Sequence, residues 1–278
     1  MNSLEHYLQG VEPGRLLLGV GSHNRGVSVN LDSDTPHIML SVPSGGGKSV
    51  AVALLACQVL HNGGQVALID LKRDTQWIKT APGSDQVIPG ITYSKTVDEA
   101  HAQLVELGHL MTARYLTKEA DPNYQPHRIL IVVEELNMTA DMLNTYWADL
   151  KQPGTNPALK TLRSLMYADR ACRMHVLAVT QYGTASVFGA NGAAARENAT
   201  PILGGASSEN AWELLAPQIR IRPEMTTHRG RMFLIDGNQY VTVQVGYLTD
   251  QQARDWATNG TLPVFDEATE AELPGWLQ

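Results

Sequence analysis

Three short stretches hold residues whose types and spacing could do chemistry together. The first is Val42-Pro43-Ser44-Gly45-Gly46-Gly47-Lys48-Ser49-Val50. Glycines permit a tight backbone path on which successive N–H groups and a helix N-terminus converge on an anion. In such a loop the lysine reaches the β- and γ-phosphates of a nucleotide and the next hydroxyl binds Mg²⁺. Lys48 and Ser49 would take those roles, and Ser44, Gly45, Gly46, Gly47, Lys48, Ser49 and Val50 form the expected nucleotide-binding set. The pattern G-x-x-x-x-G-K-[ST] asks for glycine where this chain has Val42. The start of the loop must therefore use ordinary φ values, and a plain glycine-rich turn is the alternative reading. The second stretch is Ile129 to Val133 followed by Glu134 and Glu135. A magnesium-dependent NTPase needs an acid at the end of a buried strand to hold the metal's water shell, here Glu134. A second carboxylate, Glu135, would polarise the attacking water. The usual first acid is Asp, and Glu134 is one methylene longer. The third is Thr180-Gln181, where a glutamine at a strand end could bond the γ-phosphate or the attacking water, or only cap the strand.

These stretches need a scaffold. His37 to Val42 reads as a short buried strand running into the loop, and Ser49 to Leu60 as an apolar helix stopped by Asn62-Gly63-Gly64. Gln65 to Asp70, Arg128 to Val133 and Met174 to Thr180 read as further buried strands, and Pro201 to Leu203 as a fifth. Thr96 to Leu116 and Ala158 to Arg173 read helical, and Arg231 to Ile235 with Tyr240 to Val245 reads as a β-hairpin turning at Asp236-Gly237-Asn238. Strands that alternate with helices and run continuously apolar predict an α/β fold, a mostly parallel sheet with helices on both faces. Ligands in such folds sit at the C-terminal ends of the strands, where the glycine loop, Asp70, Glu134, Glu135 and Gln181 all fall. Asp70 and Lys72 read as a structural polar cluster.

The chain has 278 residues and is 43% hydrophobic, enough for one large domain, expected over 1–260, with an acidic arm over 261–278. Its net charge of −7 argues against general electrostatic binding of nucleic acid, so any DNA contact must be local or assembled from several subunits. Cys57 and Cys172 form neither a metal-type spacing nor a disulfide framework, which makes a reducing cytoplasm the expected compartment. No signal peptide is read at the N-terminus. The longest apolar run, Val50 to Leu60, contains Gln58 and is too short to span a bilayer. None of the nine histidines sits in a metal-ligand pattern, and His175 reads as structural.

With these pieces in place the chain resembles the motor domain of the FtsK/SpoIIIE family of DNA translocases, P-loop NTPases of the HerA/FtsK type. The resemblance runs from about Leu16 to Ala257. It rests on Thr35 to Val50, on Ala113-Arg114-Tyr115, on Ile131 to Leu136, on Arg170 to His175, on Leu177 to Gln181 and on Arg229 to Phe233. It implies a RecA-like core that uses ATP and Mg²⁺, a homo-hexameric ring, and ATP-driven movement along double-stranded DNA threaded through the pore. It also implies a nucleotide site between subunits, completed by a neighbour's arginine. Val42 and Glu134 depart from the family inside its catalytic motifs, and the segment Leu116 to Gln125 is short where the family has a longer DNA-facing loop.

Two basic patches stand out against the acidic total: Lys160 to Arg173, with Lys160, Arg163, Arg170 and Arg173 against Asp169, and Arg220 to Arg231, with Arg220, Arg222, Arg229 and Arg231 against Glu224. Arg163 and Arg170 are spaced to share one helix face, which could point at a neighbour's phosphates or be solvated. Arg170 lies in the family-like segment and ranks first for the arginine acting in trans. The glycine- and alanine-rich stretch 183–198, with Arg196 near its end, could grip DNA or be an ordinary surface loop. The expected function is an ATP-driven translocase of duplex DNA, as a plasmid or mobile element might encode. The rivals are a genome-packaging or conjugation-coupling ATPase, and a nucleotide-gated assembly factor without catalysis. A membrane partner is left open.

Overall fold

In a computed structural model, described over residues 7–8, 11–12, 14–168, 170–181 and 197–258, ten strands form one sheet. They are β1 (Arg15–Val20), β2 (Gly26–Asn30), β3 (His37–Ser41), β4 (Gln65–Ile69), β5 (Ile91–Ser94), β6 (Ile129–Val133), β7 (Met174–Thr180), β8 (Ala199–Gly204), β9 (Arg231–Asp236) and β10 (Gln239–Val245). Six α-helices lie among the described residues: α1 (Lys48–His61), α2 (Val97–Ala120), α3 (Leu136–Asp149), α4 (Pro157–Tyr167), α5 (Glu209–Leu215) and α6 (Asp250–Thr258). The strand order is β2-β1-β10-β9-β8-β3-β7-β6-β4-β5. From β8 to β5 all neighbours are parallel, and from β2 to β8 all are antiparallel. The expected α/β architecture is the observed one, and the β9–β10 hairpin is built into the same sheet through β1 and β8.

One core packs α2, α3, α4 and α5 against one face of the sheet, and a second packs α1 and α6 against the other. The central strands β3, β4, β6 and β7 are buried on both faces, which is why they read as unbroken apolar runs. Helix α1 is buried continuously from Ala51 to Leu60. Its one polar interruption, Gln58, accepts from the Leu17 N–H at 2.6 Å and donates to the Leu17 carbonyl at 2.8 Å. An amide inside a greasy helix is thus satisfied by strand β1. No helix among the described residues is long and apolar enough to cross a membrane.

Helix α2 begins with a capping box, in which Thr96 Oγ1 accepts from the Glu99 N–H and Glu99 Oε2 accepts from the Thr96 N–H. It runs past the expected end at Leu116 to Ala120, and Lys118 Nζ donates to the Tyr124 carbonyl of the following turn at 3.0 Å. The expected helix over 158–173 is corrected: α4 stops at Tyr167, and a separate 3-10 turn, Arg170–Cys172, follows. His37 Nε2 donates to the Ala168 carbonyl at 3.0 Å, and Ala168 turns extended. Arg163 and Arg170 therefore share no helix face. The 261–278 arm, Arg196 and nearly all of the 183–198 stretch lie outside the described residues.

The α2 cap is far in sequence from the chemistry-bearing stretches and serves as a test of the fold alone. Thr96→Ala should cost about 1 kcal/mol, seen as a melting temperature lower by about 2–4 °C, with nucleotide affinity unchanged. An unchanged melting temperature would show that the box contributes nothing to α2.

Candidate active site

The sheet register brings the chemistry-bearing residues together. Ser41, the last residue of β3, pairs with Thr180 of β7, and Val133 of β6 pairs with both Ala178 of β7 and Ile69 of β4. The chain therefore leaves four neighbouring strands at one edge, as the glycine loop, Gln181, Glu134 and Asp70. A cleft of 740 Å³ opens there, lined among others by Ser44, Gly45, Gly47, Lys48, Ser49, Val50, Lys72, Glu134, Glu135 and Gln181. A larger groove, 1260 Å³, passes Gly63, Arg128 and Arg173 and holds none of the candidate residues.

The loop accommodates its unusual start. Val42 has an ordinary φ, is fully buried, and donates its N–H to the Thr180 carbonyl at 3.0 Å. Its side chain occupies space that glycines leave: a Cβ on Gly46 would lie 2.7 Å from Val42 Cγ1, and one on Gly204 3.0 Å. Gly45 and Gly47 take left-handed φ values of 78° and 99°. Gly47 caps α1 without a side-chain bond to the helix N-terminus, so the first N–H groups of this helix face the cleft mouth. The Gly230 N–H donates to the Gly46 carbonyl at 2.9 Å, fastening the loop to the start of β9.

The acids close the opposite side. Glu135 adopts a left-handed φ of 48° at the head of α3. Its Oε1 makes an ion pair with Lys48, accepts from Gln181 Nε2 at 2.6 Å, and lies 3.1 Å from Lys72 Nζ. Burial pushes the Glu135 carboxyl up, but the bonds from Lys48, Gln181 and Lys72 outweigh it and hold this group below the usual range. Glu134, deeper in the fold, has Oε2 3.8 Å from Lys48 Nζ. Burial, then the neighbouring carboxylates of Asp70 and Glu135, push its pKa up to about 7 against the pull of Lys48. The two acids thus sit in opposed electrostatic settings, one ionised and one inclined to keep a proton. Thr180 Oγ1 accepts from Asn137 Nδ2 at 3.3 Å, linking the end of β7 to the first turn of α3.

Asp70 behaves as the sequence suggests, its buried carboxylate spent on backbone and hydroxyl donors of its own turn. Lys72 does not: its ammonium enters the cleft. Arg170 is elsewhere, paired with Asp34 at 3.1 Å beside the start of β7. Because β7 is 7 residues long, Arg170 stands about 20 Å from Gln181.

The residues present suit a nucleotide and Mg²⁺. A three-glycine loop, an open helix N-terminus and Lys48 match a polyphosphate. Among the described residues no group of three or more His, Cys, Asp or Glu could hold a metal, so a cation here would rely on Ser49, Glu134, water and phosphate oxygens, the habit of Mg²⁺.

The strand order, the loop-to-helix junction after β3 and the acids closing β6 define a RecA-like P-loop ATPase fold. No protein-family model matches the sequence, and no curated protein matches it either. Solved structures do. The pCW3 conjugation coupling protein TcpA, in its monomer form with ATPγS, superposes with a TM-score of 0.69 at 18% identity, covering 89% of this chain and 69% of TcpA. EccC of Thermomonospora curvata, its ATPases 2 and 3 in complex with a signal sequence peptide, gives 0.65 at 15% identity, over 85% of this chain and 41% of that two-ATPase chain. The cytoplasmic domain of EssC gives 0.63 at 16% identity, over 87% and 45%. This chain spans less than half the length of the last two. At these identities the similarities show the fold and no family within it.

The Glu134 setting has a measurable sign. In the folded protein Glu134 holds its proton up to about pH 7, whereas an ordinary glutamate releases it near 4.5. The folded state binds more protons between those values, so this group lowers stability as pH rises through the window. In protein without nucleotide or metal, Glu134→Gln should match wild type below pH 4.5 and exceed it above pH 7, by on the order of 1–3 kcal/mol. Melting curves across that range check it; a gain independent of pH would contradict the assigned burial.

Proposed function

We propose that this chain is an Mg-ATP-dependent motor of the FtsK/SpoIIIE type, cytoplasmic, acting on double-stranded DNA as a homo-hexameric ring. The observation that carries the ATPase part is the meeting of Lys48, Glu134, Glu135 and Gln181, from three strand ends, in one cleft at the head of α1. When bound, Mg-ATP supplies the phosphoanhydride and the charge that draws Lys48. Ser44 to Val50 would hold the phosphates through backbone N–H groups, Ser49 and Glu134, the latter through water, would hold the metal, Glu135 would take the proton of the attacking water, and Gln181 would orient it. The ionised state of Glu135 suits a proton acceptor.

The DNA and ring parts rest on the motif resemblance and on fold-level analogy. The similarity to TcpA, a conjugation coupling protein, favours a conjugation-coupling ATPase as the second reading. Arg170 lies at the far end of β7 from Gln181 and pairs with Asp34, so it is out of reach of its own chain's cleft, and a role in a neighbour's cleft is the proposal tested below. Arg163 remains the second candidate for that role, and Arg196 the candidate DNA contact. The non-catalytic assembly factor draws on Glu134, whose raised pKa disfavours a metal-binding carboxylate until a cation displaces its proton.

ATP turnover with and without duplex DNA, with the assembly mass measured alongside, tests the reading. Lys48→Ala should abolish turnover, and Glu135→Gln should leave ATP bound but unhydrolysed. Trapping by Glu134→Gln instead would reverse the two acids. Duplex DNA should stimulate the wild type, less so in an Arg196→Ala variant, and DNA binding should weaken steeply with salt. Slow turnover indifferent to DNA in an assembled protein selects the scaffold. Lys48→Ala mixed with Arg170→Ala should regain part of the activity once mixed rings are shown by mass. If mixed rings form without recovery, and Arg163→Ala does rescue, the arginine is Arg163.

A further inference from the structure

Lys72 belongs neither to the phosphate loop nor to the acidic strand, yet its ammonium and that of Lys48 meet on the same carboxylate oxygen, Glu135 Oε1, with Lys72 Nζ at 3.1 Å. Gln181 Nε2 is the third donor to that oxygen, at 2.6 Å. The backbone under Lys72 is held firmly. Asp70 Oδ1 accepts from the Lys72 N–H at 3.1 Å and the Arg73 N–H at 3.0 Å. Asp70 Oδ2 accepts from the Thr75 N–H at 3.0 Å and Oγ1 at 2.8 Å. The turn also forces Arg73 to a left-handed φ of 62°. A buried carboxylate spent on one turn fixes where the next side chains leave, and this turn ends β4, the parallel neighbour of β6.

Glu135 needs such support. Its left-handed φ of 48° is unfavourable for a side chain with a Cβ, and the flanking β6 and α3 fix its backbone but not where its long side chain points. Lys48 heads α1 and faces the loop's anion site, and a polyphosphate draws an ammonium more strongly than one carboxylate does. With Lys48 so drawn, Lys72 and Gln181 are left on Glu135 Oε1.

We infer that Lys72 is the positioning residue for Glu135, retaining its carboxylate at the tip of β6 when Lys48 turns to phosphate. The inference rests on the nucleotide reading above. Lys72 acts through Glu135, so it sets the rate of the water-activating step and not the affinity for nucleotide.

The experiment compares wild type, Lys72→Met, Lys72→Arg, Glu135→Gln and the double variant Lys72→Met/Glu135→Gln, by ATP turnover and by equilibrium binding of ATPγS and ADP. Lys72→Met should lower kcat by about 10–100-fold, the scale of a misplaced catalytic group, with KM and both affinities within about threefold of wild type. Lys72→Arg should recover most of the loss, because it keeps the cation. An unchanged kcat in Lys72→Met overturns the inference. So does a loss of ATPγS affinity that spares ADP, which would make Lys72 a direct contact of the terminal phosphate. The double variant is read by melting temperature, since Glu135→Gln alone is expected not to turn over. A readout without turnover is the melting temperature of the ATPγS-bound protein. Lys72→Met should lower it by about 2–4 °C in the wild-type background and leave it unchanged in the Glu135→Gln background; equal shifts in both overturn the inference. Wild type that binds neither ATPγS nor ADP sinks the nucleotide reading itself, and Lys72's role with it.

Discussion

Parallel pairing of β3, β7, β6 and β4 is the constraint on which the rest depends. Parallel strands in neighbouring register end together, and here Ser41 lies opposite Thr180 while Val133 lies opposite Ile69. The four residues or loops that follow are delivered to one edge without any of them having to find the others. The hydrophobic effect sets the register: each strand buries side chains against helices on both faces, so a slip would strand polar ends inside. Catalytic geometry is thus inherited from core packing. The strained φ of Glu135 is a local cost tolerated because β6 and α3 are both anchored in that core.

At the edge itself the charges do not cancel evenly. Two ammoniums and one amide converge on Glu135, while Glu134 faces burial and two other carboxylates. One acid is drawn outward into ion pairs and the other left in a medium that resists its charge. A metal cation near Ser49 would change that balance more than any residue present, since a divalent ion is the largest local charge such a site can hold.

The central strands were legible because continuous apolar runs bounded by polar residues have few other readings at that length, and the phosphate loop because Gly-Gly-Gly-Lys-Ser follows one of them. Strands β2 and β5 carry no such pattern, β5 having only four residues, whereas β1 carries a short one in Leu16-Leu17-Leu18 that went unread as a strand. The end of α4 was hidden for a related reason. No glycine or proline follows Tyr167; the stop accompanies His37 donating to the Ala168 carbonyl across the fold. Lys72 was read as structural because its partner lies on β6, and adjacency of β4 and β6 is a tertiary fact. His175, read as structural, donates through Nδ1 to the Pro36 carbonyl and accepts from Arg128 Nη1 at 2.7 Å, with burial holding it neutral.

The hydrogen bond from the Gly230 N–H to the Gly46 carbonyl means that the phosphate loop is not a portable cassette. A Cβ at 47 would stand 3.0 Å from Gly230 N and 3.1 Å from Gly230 Cα, and one at 230 would stand 2.7 Å from Gln244 Nε2. Gly230 in turn passes its carbonyl to the Val245 N–H on β10, and the Arg229 carbonyl takes Gln244 Nε2. Grafting the loop and α1 into another sheet would carry the glycines but leave behind the hairpin that shapes them. In lineages that alter this loop, compensating changes belong at residues 229–230 and 244–245, almost two hundred positions downstream.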